Sequence, residues 1–270
     1  MGYHVEVNRI KLYVEDLNPG GEKTILFLRG WPGNHKLFEY QFDRLPLAGI
    51  RCIGLDTRGF GHSDKPFDGY DYNTLADDVR EVVEQLGLRD FTLVGHSTGG
   101  AIAARSMNRH QAFGVAKLVL VAAAAPSLIR RPHFPYGLER KTVEEIIVGA
   151  LQDRPQMLRQ FALKFFFQHT SPAFLDWFFQ LGLQAAGWAT AAIANTWIHE
   201  ELFTDLESIR VPTLILHGIH DQVVPFQLGE IQHRMIRHSV LVPLQFSGHG
   251  SFYDEKDVFN DLLIQFMENR

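Results

Sequence analysis

The chain has 270 residues, of which 46% are hydrophobic and 21% charged, so it can bury a large core and is not globally disordered. Its formal charge of −5 argues against nucleic acid or an anionic membrane as a partner, because both usually require a basic face. The longest apolar run, residues 118–126, is far too short to span a membrane. We expect no signal peptide, since the first residues lack a basic start followed by an apolar run.

Cys52 is the single cysteine, so no intramolecular disulfide can form. This composition fits a reducing compartment, and we expect a cytoplasmic protein. Cys52 lies in an apolar stretch and is predicted to be a small buried core residue rather than a nucleophile.

Short apolar segments bounded by turn residues predict eight strands, at residues 5–8, 11–15, 24–28, 51–55, 91–94, 117–121, 213–217 and 240–244. Amphipathic segments predict helices at residues 38–44, 74–86, 98–108, 226–236 and 257–267. Thr74 is predicted to cap the second of these helices and Gly87 to end it. The first two strands are close in sequence and predict a hairpin. The later strands alternate with helices and predict a mostly parallel sheet.

The alternation of strands and helices stops between residues 127 and 205, where the pattern indicates helices only. Asp153 with Pro155, and Ser171 with Pro172, are typical of helix starts. The stretch holds three of the four tryptophans. The sequence therefore predicts a core domain of residues 1–126 and 206–270, with a helical cap of residues 127–205 over one end of the sheet.

The most informative motif is Gly-His-Ser-Thr-Gly at residues 95–99, between a predicted strand and a predicted helix. A serine at so tight a turn needs neighbours without a bulky Cβ two residues before and after it, and Gly95 and Gly99 meet that demand. The turn would lift the Ser97 hydroxyl clear of the sheet and leave the N–H of Thr98 at a helix N-terminus. We predict Ser97 as a nucleophile.

Two further residues follow later strands. Asp221 comes shortly after the seventh predicted strand, at the carboxyl end where open α/β sheets place their sites. The alternative interpretation of Asp221 is a loop-capping aspartate. Among 13 histidines, His249 stands out because glycines flank it in the loop after the last strand. His96 is interpreted as structural, and His217 and His220 lack neighbours at metal-ligand spacing, so no metal is predicted.

The order Ser, Asp, His along the chain is that of the α/β-hydrolases, and the whole chain resembles that superfamily. Residues 27–33, Phe-Leu-Arg-Gly-Trp-Pro-Gly, are similar to the family's oxyanion loop, and residues 56–64 to its Asp-x-Arg-Gly-x-Gly-x-Ser segment. The resemblance is greatest to the cofactor-free haloperoxidase/arylesterase branch. It implies an α/β-hydrolase fold, with a mostly parallel eight-stranded sheet flanked by helices and a helical cap inserted after strand 6.

The resemblance also assigns roles to single residues. It implies that the backbone N–H groups of Trp31 and Thr98 form an oxyanion hole. Arg29 departs from the pattern, since the family usually has histidine there. Asp56 and Arg58 are interpreted as residues that fix a loop rather than as catalysts.

The predicted function is hydrolysis of a carboxylic ester, lactone or lactam of a small to medium, largely apolar molecule, with no cofactor. Ser97 would be acylated, with His249 as base and Asp221 as its orienting acid. A serine at position 97 and a single cap tyrosine argue against haloalkane dehalogenases and epoxide hydrolases. Two alternatives stay open: perhydrolysis, in which hydrogen peroxide replaces water, and a hydrolase-fold ligand receptor. The oligomeric state is not predicted.

Substrate specificity is expected to lie in the aromatic residues of the predicted cap. The candidates for the pocket wall are Phe161, Phe165, Trp188, Trp197 and Tyr136.

Overall fold

A computed structural model describes residues 1–269 and has an eight-stranded sheet at its centre. The strands are β1 (Gly2–Val7), β2 (Ile10–Leu17), β3 (Lys23–Leu28), β4 (Ile50–Leu55), β5 (Phe91–His96), β6 (Val115–Val121), β7 (Thr213–Gly218) and β8 (Ser239–Leu244). Their spatial order is β1-β2-β4-β3-β5-β6-β7-β8. Strand β2 is antiparallel to both of its neighbours, and the other neighbouring pairs are parallel. All eight predicted strands and the predicted hairpin are confirmed.

Eleven α-helices surround the sheet within residues 1–269: α1 (Glu39–Arg44), α2 (Tyr72–Gln85), α3 (Thr98–Arg109), α4 (Arg140–Gln152), α5 (Arg154–Ala162), α6 (Pro172–Leu183), α7 (Gly187–His199), α8 (Phe203–Ser208), α9 (Gln227–Met235), α10 (Ser251–Asp254) and α11 (Lys256–Glu268). Short 3-10 turns at His35–Phe38 and Pro46–Ala48 flank α1. No helix within the described residues is long and apolar enough to cross a membrane.

The predicted start of α2 is wrong. The helix begins at Tyr72, and its N-cap is Asp71, whose carboxylate accepts from the Thr74 N–H at 2.9 Å and from the Thr74 hydroxyl at 2.7 Å. Thr74 is therefore the capped residue, because an aspartate three positions earlier binds the exposed N–H of the first turn. The predicted stop is confirmed: Gly87 follows the helix with a left-handed φ of 61°.

The sheet is buried on both faces because alternate side chains of its parallel strands enter two separate cores. On β5, Leu93 belongs to one core and Val94 to the other. Helices α2, α3 and α9 cover the first face, and α1, α10 and α11 cover the second. Cys52 lies in the second core and is fully buried, as the sequence predicted.

Helices α4 to α8 lie between β6 and β7 in the chain. Asp153 caps α5 and Ser171 caps α6, each followed by a proline in the first turn, as predicted. Ala162 of α5 and Phe178 and Leu181 of α6 join the second core. Helix α7 instead buries Ala189, Ile193 and Ala194 in the first core together with strand residues. The division into a core domain and a cap at residues 127–205 stays a prediction.

Candidate active site

Ser97 sits on the turn between the central strand β5 and helix α3, with φ of 54° and ψ of −119°. Its N–H donates to the Val121 carbonyl at 2.9 Å, and its own carbonyl accepts from the Ala124 N–H at 3.0 Å. A Cβ at Gly95 would come within 2.5 Å of the Gly99 carbonyl oxygen. Hydrogen bonds to the end of β6 and to the segment after it thus hold Ser97 in a backbone conformation that residues other than glycine rarely adopt. The glycines at positions 95 and 99 leave the space that this turn requires.

Asp221 lies in the loop after β7, and both of its oxygens are occupied. Oδ1 accepts from the N–H groups of Val223 at 2.7 Å and Val224 at 2.8 Å. Oδ2 accepts from His249 Nδ1 at 2.8 Å. Burial alone would raise the pKa of this carboxyl, but the facing His249, its hydrogen bond and the nearby His217 outweigh burial and hold the pKa below its usual range. Asp221 is therefore ionised at neutral pH.

His249 lies in the loop between β8 and α10, and its ring is held on two sides. The His96 ring centroid is 4.6 Å away, and Phe165 meets the ring edge-on at 4.8 Å. Because Nδ1 donates to a carboxylate, the neutral ring carries no proton on Nε2. His249 Nε2 is buried and accepts no hydrogen bond from the described residues, so its lone pair is available to a proton donor.

Two further histidines support this arrangement. His96 Nε2 donates to the His249 carbonyl at 3.0 Å, and burial, with the His249 ring, holds the pKa of His96 well below its usual value, so it stays neutral. His217 Nε2 donates to the Val224 carbonyl at 2.9 Å and lies 3.4 Å from Asp221 Oδ2. The sequence analysis did not assign His217 to the site, although its place near the carboxyl end of β7, four residues before Asp221, is a signal that could have found it.

The backbone N–H groups of Trp31 and Thr98 donate to no other residue in the part of the chain described. Thr98 is the first residue of α3, so its N–H has no acceptor within the helix and lies at the positive end of the helix dipole. The Trp31 N–H lies in the loop after β3. A hydrogen bond of 3.1 Å from the Gly33 N–H to the Gly30 carbonyl closes a turn in this loop.

Arg29, which departs from the family pattern, is the first residue of this loop, and its side chain is fully buried. Its guanidinium lies 3.5 Å from the centre of the Phe60 ring and donates to the Thr57 hydroxyl. Burial lowers the pKa of Arg29 to about 9, against the effect of Asp56, so the side chain stays charged at neutral pH. Arg29 therefore ties the loop after β3 to the loop after β4.

The loop-fixing interpretation of Asp56 and Arg58 matches their contacts. Asp56 accepts from the N–H groups of His35 at 2.7 Å and His62 at 2.9 Å. Arg58 binds the carboxylate of Asp78 on α2 through two hydrogen bonds of 2.6 and 2.7 Å.

A cavity of about 20 Å³ adjoins Ser97, with walls that include Trp31, Leu128, Phe161 and Trp197. A larger cavity of about 230 Å³ lies outside it. The two share four wall residues: Leu138, Ile146, Phe161 and Val223. The outer cavity also has polar wall residues, among them Glu145, Lys164 and Gln222.

The five predicted pocket residues separate into three groups. Phe161 and Trp197 line the inner cavity, whereas Phe165 packs on the His249 ring. Trp188 is 44% exposed and donates to the Pro66 carbonyl at 2.8 Å, and Tyr136 is an exposed residue packed on Phe134. Trp188 and Tyr136 therefore lie outside both cavities. Trp188 and Trp197 are nine positions apart on α7, and at about 100° per residue this places them on opposite sides of the helix.

No group of three or more metal-ligating side chains suited to a metal ion occurs within residues 1–269. The site is thus composed of a serine, a histidine–carboxylate pair, two free backbone donors and an apolar cavity. Such a set can attack a carbonyl and stabilise the oxyanion that results.

Comparison with known proteins agrees with this geometry. Residues 23–256 match a family model described as the alpha/beta hydrolase fold. The chain is 44% identical over 98% of its length, and 99% of the other chain, to the AB hydrolase superfamily protein YisY of Bacillus subtilis (strain 168). It superposes over the full length of both chains on an esterase, EaEST, from Exiguobacterium antarcticum, with a TM-score of 0.97 and 40% identity. A bromoperoxidase from Bacillus anthracis superposes over the same extent with a TM-score of 0.95 and 31% identity.

Proposed function

The chain belongs to the α/β-hydrolase fold family, and from that premise we propose that it is a serine carboxylesterase-type hydrolase. The substrate is a carboxylic ester or lactone of a small to medium, largely apolar molecule, and a lactam is compatible with the same chemistry. The likeness to an esterase at 40% identity over the whole chain supports this class of reaction.

In the proposed mechanism, His249 Nε2 takes the proton from the Ser97 hydroxyl as the oxygen attacks the substrate carbonyl. Asp221 keeps the proton of the neutral ring on Nδ1 and stabilises the charged ring that forms. The N–H groups of Trp31 and Thr98 bind the oxyanion, and removing such a donor typically costs about 3–4 kcal/mol of transition-state stabilisation. Collapse of the tetrahedral intermediate expels the alcohol, which takes the proton from His249. Water, deprotonated by His249, then attacks the acyl-enzyme, and the acid leaves as the Ser97 oxygen takes the proton back from His249.

The observation that carries the proposal is the state of His249. Its Nδ1 is bound to an ionised Asp221 at 2.8 Å, its Nε2 is buried without a partner, and its ring centroid lies 4.6 Å from that of His96, the residue that precedes Ser97. His96 Nδ1 and His217 Nδ1 are also buried without a partner, but only in His249 does the ring combine a free nitrogen with a 2.8 Å hydrogen bond to the ionised carboxylate. A general base that must accept a proton from an incoming or neighbouring hydroxyl needs this arrangement.

The test of the proposal is Ser97→Ala, assayed with p-nitrophenyl esters of increasing chain length and with lactones. We expect kcat to fall by about a thousandfold or more, because acylation is lost while the two backbone donors remain. Ser106→Ala, on the same helix α3, is the matched control and should keep normal activity. Normal turnover by folded Ser97→Ala would refute the assignment of the nucleophile. Hydrolysis limited to a single turnover in the wild-type protein would instead identify a ligand receptor.

Perhydrolysis is the second candidate, and the likeness to a bromoperoxidase favours it. The acyl-enzyme on Ser97 would react with hydrogen peroxide instead of water and release a peracid. Peracid formation measured beside acid formation, at fixed peroxide concentration, compares the two reactions directly. Both products should vanish in Ser97→Ala, since both derive from one acyl-enzyme.

A further inference from the structure

We propose that helix α7 braces the oxyanion hole and that Trp197 is a positioning residue which holds Thr98 in place. This inference rests on the proposed function, since it is there that the N–H groups of Trp31 and Thr98 bind the oxyanion. It gives Trp197 a second role besides that of a cavity wall.

Both residues of the proposed oxyanion hole are hydrogen-bonded through their side chains to the same helix. The Trp197 indole N–H donates to the Thr98 hydroxyl at 3.1 Å, and the Trp31 indole N–H donates to the Thr190 carbonyl at 3.1 Å. The two indole rings meet edge-on, with centroids 5.1 Å apart and planes at 79°. Since Thr190 and Trp197 are seven residues apart, they lie on one side of α7 about two turns from each other.

Helix α7 is itself anchored to the strand-bearing part of the molecule at both ends. Before its first turn, the Ala186 N–H donates to the Gly59 carbonyl at 2.9 Å. Near its C-terminus, the Thr196 hydroxyl donates to the Tyr70 carbonyl at 2.9 Å. Ala189 and Ile193 between these points are fully buried in the first core. The helix is therefore a fixed support, and a residue bonded to it is held in place.

The two backbone donors need such a support because they come from different elements, the loop after β3 and the start of α3. Thr98 directly follows Ser97, whose backbone lies in a sparsely populated region. A β-branched side chain has few χ1 rotamers, so fixing the Thr98 hydroxyl also fixes the orientation of its backbone. Donors that are already aligned need no reorganisation in the transition state, and α7 supplies this alignment for both.

The test removes the hydrogen bond while leaving the packing in place. Trp197→Phe retains an aromatic ring without the N–H, and Thr98→Val retains the β-branch without the hydroxyl. We expect each variant to lower kcat about 3- to 30-fold on a short ester while KM changes less than twofold, because the oxyanion forms only in the transition state. The double variant should be no slower than the slower single variant, since both changes break one bond.

Two controls separate this role from packing. Thr98→Ser keeps the hydroxyl and should lower kcat less than Thr98→Val does. Trp177→Phe changes a partly buried tryptophan on α6 whose indole N–H has no partner among the described residues, and it should behave as the wild type. Circular dichroism and thermal unfolding show whether Trp197→Phe folds. If it does not, the comparison of Thr98→Val with Thr98→Ser decides the matter.

Three results would overturn the inference: unchanged kcat in Trp197→Phe, a rise of KM alone in that variant, or equal kcat in Thr98→Val and Thr98→Ser. A rise of KM alone would mean that Trp197 only contacts substrate. None of these touches the proposed function, which fails only if folded Ser97→Ala remains active or the wild-type protein does not turn over.

Discussion

At the scale of single residues, the site is defined by which side-chain oxygen and nitrogen atoms have hydrogen-bond partners and which do not. Asp221 uses Oδ1 for two backbone N–H groups and Oδ2 for His249. His96 and His217 each donate Nε2–H to a backbone carbonyl. His96 Nδ1, His217 Nδ1 and His249 Nε2 all lack a partner among the described residues, but only the His249 ring donates from its other nitrogen to Asp221 at 2.8 Å.

This arrangement makes a sharp prediction for Asp221→Asn. The asparagine oxygen should stay on the N–H groups of Val223 and Val224, which leaves its NH₂ group facing His249 Nδ1. The ring must then accept at Nδ1 and carry its proton on Nε2, where it can no longer act as a base for Ser97. We expect kcat for ester hydrolysis to fall on the order of 10³- to 10⁴-fold at neutral pH, with the fold intact by circular dichroism. A loss below tenfold would contradict the assigned role.

The same variant has an expected pH dependence of stability. The folded state holds the pKa of Asp221 below its usual range, so the carboxylate stabilises the fold at pH values above the unfolded-state pKa of about 4. That contribution is lost as the pH falls through the lower folded-state pKa. In urea unfolding, Asp221→Asn should therefore be destabilised relative to the wild type at pH 7, and the difference should shrink below about pH 4. A difference that is constant with pH would contradict this linkage.

At the scale of elements, the segment after α5 is attached directly to the loop that bears His249. The Asp254 carboxylate accepts from the N–H groups of Phe167 at 3.0 Å, Gln168 at 3.0 Å and Gly248 at 2.8 Å. The Gly250 N–H donates back to the Phe165 carbonyl at 2.9 Å. Phe165, which packs on the His249 ring, is thus positioned through its own carbonyl and through the two residues Phe167 and Gln168 that follow it.

Asp254→Asn should weaken this attachment. An amide has a single acceptor oxygen, so its NH₂ group would face at least one backbone N–H that binds a carboxylate oxygen in the wild type. A buried backbone N–H left without an acceptor costs about 1–3 kcal/mol. We expect the free energy of unfolding in urea to fall by that amount. Asp261→Asn, an exposed carboxylate on α11, is the matched control and should change stability by less than about 0.5 kcal/mol. Equal effects of the two variants would show that Asp254 contributes no more than a surface charge.

Phe161 on α5 is the one aromatic residue among the four that line both cavities. Phe161→Ala should join the inner cavity of about 20 Å³ to the outer one of about 230 Å³. We expect the preferred p-nitrophenyl ester to become longer, since each buried methylene gains about 0.8 kcal/mol, with a modest change of rate on the acetate. Trp188→Ala, an aromatic residue outside both cavities, should leave the chain-length profile as it is. An unchanged profile in folded Phe161→Ala would move specificity to other residues.

At the scale of the whole molecule, the proposed chemistry uses only side chains and backbone N–H groups. The described residues contain no cluster of metal-ligating side chains, and the sequence carries no nucleotide-binding glycine loop. We expect dialysis against EDTA to leave esterase activity unchanged, measured before and after dialysis on one ester. Loss of activity that an added divalent metal restores would contradict the prediction that no cofactor is needed.

The sequence by itself determined the strands, the hairpin, the turn at Ser97 and the choice of Asp221 and His249, which a hydrogen bond of 2.8 Å joins in the structure. These are local properties, because the alternation of apolar residues marks a strand and a Gly-x-Ser-x-Gly turn marks a strand-to-helix junction within a few residues. The start of α2 was predicted three residues too late. Aspartate and threonine are both good N-cap residues, and the structure uses Asp71 rather than Thr74.

Only the tertiary structure decided which partners the helices of residues 127–205 contact. It buried α7 in the core beside the strands, directed Trp197 to Thr98 and Trp188 to the surface, and brought Asp254 to the backbone of Phe167. Each of these contacts joins residues roughly 90 to 120 positions apart in the chain. Periodicity reports which side of a helix is apolar, but the partner of that side depends on how the whole chain packs.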